Sequence, residues 1–130
     1  MTTQDSVLLF RNTMRITEGH VVEFREAIAN AVDFAQRHGP QLMVQTFIDE
    51  SRMLAHSFQL YQDSDAVRAH WALSDPYIQD VMKHCSVDRF EVFGQPDPDV
   101  AQGLRSVLGE GARITFSPRT AGFLRGASLD

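Results

Sequence analysis

The chain has 130 residues, 43% hydrophobic and 22% charged, the balance of an ordinary soluble globule with length enough for a core. Its formal net charge is −5 and it contains no block of Lys or Arg, which argues against nucleic acid or an anionic membrane surface as a partner. The one cysteine, Cys85, cannot form an internal disulfide; the N-terminal run MTTQDSVLLFRN has no basic leader region, and no stretch approaches the ~20 apolar residues of a membrane span, so the expected setting is a reducing, cytoplasmic one.

The first strand is expected from Val7 to Ile16. Leu8, Phe10, Met14 and Ile16 share one face at period two, with Asn12 in the middle of that face. Thr17-Glu18-Gly19 turns the chain, and Thr17 is a candidate cap for a helix over His20 to His38. Val21, Phe24, Ile28, Ala31 and Ala35 form its apolar stripe, and Gly39-Pro40 ends it. Gln41 to Asp49 and Met53 to Gln62 read as a hairpin across Glu50-Ser51-Arg52. Leu42, Val44, Thr46 and Ile48 share one face of the first arm, and Leu54, His56, Phe58 and Leu60 share one face of the second. Asp63-Ser64-Asp65 offers N-caps for a helix to about Leu73. Asp75 with Pro76 then suggests a restart running to about Cys85. Arg89 to Gly94 reads as a fourth strand, Val100 to Leu108 as a short helix ended by Gly109 and Gly111, and Arg113 to Ser117 as a short added strand. The tail TAGFLRGASLD reads as irregular.

The order β-α-β-β-α-β followed by an αβ piece predicts an α+β, ferredoxin-like antiparallel sheet with its helices on one face. The expected organisation is one domain over residues 1–130, with a core over 6–95 and an extension over 96–130. The uncovered sheet face carries apolar and small residues with few charges, so a second copy is expected to cover it in a homodimer.

MRITEG at 14–19, the helix bearing Phe24, the hairpin, and AVRAHWALSDPY at 66–77 before the last core strand resemble the antibiotic-biosynthesis-monooxygenase-like (ABM) domains of the dimeric α/β-barrel superfamily, over roughly residues 6–95. That resemblance implies two sheets closing into a barrel across a dimer, with a pocket between sheet and helices in each subunit. Some members are cofactor-independent oxygenases of phenolic or quinol-type substrates, some degrade haem, and many have no known activity.

Asn12 is the one polar residue on an otherwise apolar strand face, so its amide either meets hydrogen-bond partners or orients a ligand. The resemblance adds that haem-degrading members carry a functional Asn on the first strand at the spacing of Asn12 to Gly19, and a functional Trp before a Ser-Asp like the one that follows Trp71. It also implies an iron-binding His at the position held here by Val81; His84 lies about one turn further along, and an axial ligand is the element haem chemistry cannot omit. His70 occupies a position where ABM-like domains often carry a His, suited to act as base or donor to a phenolic oxygen. The expected catalytic set is therefore Asn12, His70 and Trp71. Phe10, His56, Phe58, Tyr77 and His84 are expected to line an apolar or aromatic small-molecule site. His56, His70 and His84 have no metal-ligand spacing, Cys85 reads as an inert thiol, and no phosphate loop appears, so no metal and no cofactor is expected, with haem as the alternative. The expected activity is a small-molecule monooxygenase; the competing class is a non-catalytic module that holds a small ligand in the same pocket.

Overall fold

The computed structural model describes residues 6–108 and 113–125. Five strands, β1 (Leu8–Ile16), β2 (Met43–Asp49), β3 (Leu54–Tyr61), β4 (Cys85–Phe93) and β5 (Arg113–Ser117), form one sheet in the order β2-β3-β1-β4-β5. The first four pair antiparallel in the ferredoxin-like arrangement, and β5 adds to β4 in parallel. Three helices, α1 (Val21–His38), α2 (Ser64–Met82) and α3 (Pro98–Leu108), alternate with them. The expected β-α-β-β-α-β core with an αβ extension is the observed order. Gly109 and Gly111, read as the end of α3, lie outside the described residues.

Register decides which side chains meet the helices. Leu8, Phe10, Met14 and Ile16 are all buried against helix residues, so the even-numbered face of β1 is the inner face. Leu8 pairs with Tyr61, Phe10 with Gln59, Asn12 with Ser57 and Met14 with Ala55, which puts Ala55, Ser57, Gln59 and Tyr61 on that same face. Val44, Thr46 and Ile48 of β2 join them. Leu54, His56, Phe58 and Leu60 therefore point to the outer face. In β4 the pairing steps from Thr13↔Arg89 to Met14↔Val87, so Asp88 is an extra residue and parity reverses there. Cys85 and Val87 on one side of this bulge, and Phe90 and Val92 on the other, all face inward, and β4 begins four residues before the expected Arg89.

Two local expectations are corrected. Thr17 does not cap α1: His20 holds the cap position without a side-chain bond, and its N–H donates to the Thr17 carbonyl at 2.9 Å. The break at Ser74-Asp75-Pro76 does not occur; α2 is continuous with Pro76 inside it. Pro76 and Ala72 are both exposed, so the carbonyl left without its N–H partner faces water. The inward stripe of Val67, Ser74 and Val81 continues across the proline, and its burial outweighs the local penalty of ~3 kcal/mol. At its start α2 is capped as expected, the Asp63 carboxylate accepting from the Ala66 N–H at 2.9 Å.

The interior is divided in two. One cluster holds Leu8, Phe10, Tyr61, Val67, Phe90, Val92, Val100 and Leu104, joining β1, β3, β4, α2 and α3. The other holds Met14, Ile16, Phe24, Ala27, Ala55, Val81 and Cys85, under α1 and the far end of α2. Arg68 clamps the extension: its guanidinium donates to Asp97 at 2.7 Å and to Asp99 at 2.6 and 3.0 Å, and it also reaches Asp65. The Asp97 N–H donates to Ser64 at 2.9 Å beside it. Among the described residues no helix is long and apolar enough to cross a membrane.

Candidate functional site

Between the two apolar clusters lies a polar waist. On the sheet side Asn12 stands between Phe10 of one cluster and Met14 of the other, beside Ser57 across the strand pair. On the helix side Ser74 stands seven residues from Val67 and seven from Val81, midway between the clusters. Asn12 Oδ1 and Ser74 Oγ are both shut off from solvent and neither has a hydrogen-bond partner. Buried polar atoms normally find partners; Arg11 Nε, Gln41 Oε1 and Glu91 Oε1 are in the same state elsewhere, and these two stand out by lying between the apolar clusters.

A ladder of uncharged groups runs from this level up β3. Tyr61 Oη donates to Gln59 Oε1 at 2.6 Å, Gln59 Nε2 donates to Ser57 Oγ at 3.4 Å, and Thr46 Oγ1 donates to the same Ser57 Oγ at 3.4 Å. Burial raises the Tyr61 phenol well above its ordinary value, so it stays a neutral donor. At the top of the ladder His70 lies with its ring centroid 5.9 Å from that of Tyr61, and its Nδ1 is 2.9 Å from Gln41 Nε2. Desolvation pushes His70 down to about 4, so the ring is neutral at physiological pH.

The expected site residues separate into groups. Phe10 and Asn12 lie on the inner face, Phe10 packed 5.1 Å from the Tyr61 ring and 5.4 Å from Phe90. His70 approaches the same inner side of the sheet from α2, beside Tyr61. Ser57 and Tyr61 are four residues apart, roughly 13 Å along the strand, so Asn12 and His70 stand at opposite ends of the ladder and do not address one atom. Trp71 leaves the other flank of α2: its ring lies on α3, where Gly103 is bare and a β-carbon would come within 2.9 Å of the indole. It packs against the cluster around Phe10 as an anchor between α2 and α3.

His56 and Phe58 are not on this side of the sheet. They face outward, where Thr13 Oγ1 is 3.4 Å from His56 Nδ1 and the Arg11 guanidinium lies 5.6 Å over the Phe58 ring. The expectation that His56 shares the pocket of Asn12 is corrected by register. Tyr77 stacks on Phe34 at 4.5 Å on the α1–α2 flank. His84 sits past the far end of α2 with its Nδ1 3.0 Å from His20 Nδ1.

The haem alternative fails on its residues. Val81 is 7% exposed and fills the cluster around Met14 and Phe24, and His84 is occupied by His20. Among the described residues no group of three or more His, Cys, Asp or Glu is placed to hold a metal ion. Cys85 is buried and its thiol is pushed up to about 11, in keeping with an inert group. Gln41, Ser57, Gln59, Tyr61 and Ser74 escaped the sequence reading. The signal for the three on β3 was strand pairing: once Asn12 faces inward, whatever pairs with it and its neighbours does too.

The outer face is different in kind. Leu9, Met43, Phe47, Leu54, Phe58, Leu60 and Phe93 lie across it, with Phe47 56% exposed. Its centre carries Arg11 and Glu91, 3.8 Å apart. Residues 118–124 of the tail run over one end and enclose a cleft of about 400 Å³ against Val7, Leu9, Leu60 and Phe93.

The fold is that of the ABM-like ferredoxin-like proteins. No protein-family model matches the chain, and no curated protein matches it in sequence. Solved structures do match. The chain is similar to MupZ from Pseudomonas fluorescens, with a TM-score of 0.71 at 16% identity over 92% of this chain and 95% of that one. It is similar to SnoaB, a cofactor-independent oxygenase from Streptomyces nogalater, with a TM-score of 0.59 at 16% identity over 71% of this chain and 95% of that one. A candidate antibiotic biosynthesis monooxygenase from Bacteroides thetaiotaomicron gives 0.59 at 15% identity over 70% and 88%. At these identities the likeness is one of fold. The match to MupZ is long enough to take in part of the α3–β5 extension.

Proposed function

We propose that the waist between sheet and helices is the active site of a small-molecule monooxygenase that works without a cofactor on a phenolic or quinol-type substrate. The observation that carries this reading is the pair of buried, unpartnered atoms, Asn12 Oδ1 and Ser74 Oγ, set between two apolar clusters. An aromatic substrate with hydroxyls would fill the apolar ends and bond the polar middle. A phenol with a free para carbon is converted to the quinone with one oxygen atom entering the ring and the other leaving as water. The substrate supplies both electrons, so the protein's part is to hold it, exclude water and accept the phenolic proton. Asn12 orients the substrate, and the neutral ring of His70 is the base this reading assigns to the phenolic proton. Trp71 braces the wall by fixing α2 to α3. The apolar outer face supports a homodimer built sheet to sheet, with residues 1–130 acting as one unit.

Aerobic oxygen uptake across a panel of phenols and quinols tests the reading. Uptake with product formation at one oxygen per turnover is expected. Tight binding of the same compounds without uptake would instead establish a ligand-binding module.

A further inference from the structure

The outer face of the sheet holds a charged pair that the fold leaves incomplete. Arg11 of β1 and Glu91 of β4 stand opposite one another in the strand register, both on that face. Arg11 Nε and Glu91 Oε1 are 3.8 Å apart, an ion pair too long for a hydrogen bond. Both atoms are shut off from solvent and neither has a hydrogen-bond partner. No hydrogen bond among the described residues holds either side chain. Arg68 shows the contrast: its guanidinium is bonded to Asp97 at 2.7 Å and to Asp99 at 2.6 Å. The Phe58 ring, 5.6 Å from the Arg11 guanidinium, keeps that group on the outer side of the sheet.

The surroundings of the pair are apolar. One end of the face is already covered, where residues 118–124 lie against Leu9, Leu60 and Phe93. The open part starts at the row of Phe58, Arg11 and Glu91 and continues to Phe47, which is 56% exposed with its ring 6.0 Å from that of Phe58. On a wet surface a lone ion pair contributes little and needs nothing more. Under a covering surface both charges lose water, and the cover must then bond both signs. A partner of one sign satisfies half of the pair and repels the other half. A second copy of this chain offers both signs in reverse order, because a two-fold axis that brings one residue to another also brings the second to the first. Packed sheets lie roughly 10 Å apart, a gap that Arg and Glu side chains reaching from opposite sides can close.

We infer that Arg11 and Glu91 form the charged key of a homodimer on this face: each Arg11 guanidinium bonds the partner's Glu91, twice about one two-fold axis. This rests on the homodimer reading given above and adds the pair that sets the register of the two copies. Apolar area around Phe47 and Phe58 drives association, and the charges decide which way round the copies meet. An arrangement that sets Arg11 against Arg11 places like charges together and is disfavoured. The chemistry of the inner face does not enter.

The test swaps the charges and reads mass. The full chain should scatter light as twice 14.6 kDa at micromolar concentration. Arg11→Glu sets Glu against Glu across the dimer, and Glu91→Arg sets Arg against Arg. Each should weaken the dimer about a hundredfold or more and give mainly the single mass. An equimolar mixture of the two variants should return to the double mass, and native mass spectrometry should show it as the heterodimer. Each chain in that mixture still carries its own like-charge pair, so the recovery can come only from bonds between chains; it also shows that both variants fold. Should a reversal fail to fold, Arg11→Gln and Glu91→Gln replace it, each expected to weaken the dimer about tenfold or more. A wild type of single mass overturns the inference together with the homodimer reading. A dimeric wild type whose variants stay equally dimeric, or whose folded monomeric variants do not pair on mixing, overturns the charged key alone and leaves the homodimer reading standing.

Discussion

The two faces of the sheet follow opposite rules. The inner face is apolar at both ends and polar in the middle, and its polar groups are neutral: Asn12, Thr46, Ser57, Gln59 and Tyr61. The outer face is apolar over much of its breadth and charged at its centre, where Arg11 meets Glu91. A face covered by the chain's own helices can hold unpartnered polar atoms only where a ligand or water completes them. The face without helices carries large side chains such as Phe47 into solvent. Hydrophobicity alone therefore does not tell which face is the interior.

The largest effect that sharpens this contrast is expected from Phe10→Ala. Phe10 is 2% exposed between the rings of Tyr61 and Phe90, and its removal should cost about 3–5 kcal/mol in chemical denaturation. The outer-face counterpart, Phe47→Ala, comes last in this series.

Next is the pH dependence carried by His70. Its folded pKa is about 4 against 6.5 in the unfolded chain. Between those values the unfolded state binds a proton that the folded state does not, so stability falls as pH drops from 6.5 to 4, by about 3 kcal/mol in full. Above pH 6.5 this group gives no slope. Denaturation midpoints at pH 7 and pH 4.5 should converge in His70→Gln relative to the wild type.

Asn12→Leu should be smaller and of opposite sign. Leucine completes the apolar face and leaves no partner stranded, because Asn12 Oδ1 has none. Stability should hold or rise by up to ~1 kcal/mol, whereas ligand binding falls. A clear loss of stability would show Asn12 to be a structural amide. Phe47→Ala should change the unfolding of a protomer by less than about 0.5 kcal/mol, yet lower the mass seen by light scattering from twice 14.6 kDa toward once.

Much of the architecture was legible because its signals are local. The period-two face of β1, the stripe of α1 and the Asp63 cap each depend on neighbours in sequence. Asn12 could be singled out for the same reason. The face of β3 could not be read that way, since Leu54, Phe58 and Leu60 are its more apolar set and yet point outward; pairing with β1 overrides composition. The parity change at Asp88 hid the first half of β4. Pro76 suggested a break that the burial of Ser74 and Val81 overrules. The Gln41–His70 contact joins residues 29 apart and has no local trace.

On the proposed function, the chemistry belongs to the inner face and not to the outer one. Oxygen uptake with one responsive phenol, measured on Asn12→Leu beside His56→Leu, tests this most directly. Both variants replace a polar residue on neighbouring strands of one sheet, on opposite faces. Asn12→Leu should lose tenfold or more of kcat/KM, roughly the 1.4 kcal/mol of one good hydrogen bond, while His56→Leu stays within about twofold of the wild type. Full activity in Asn12→Leu with loss in His56→Leu would place the site on the outer face and contradict the account.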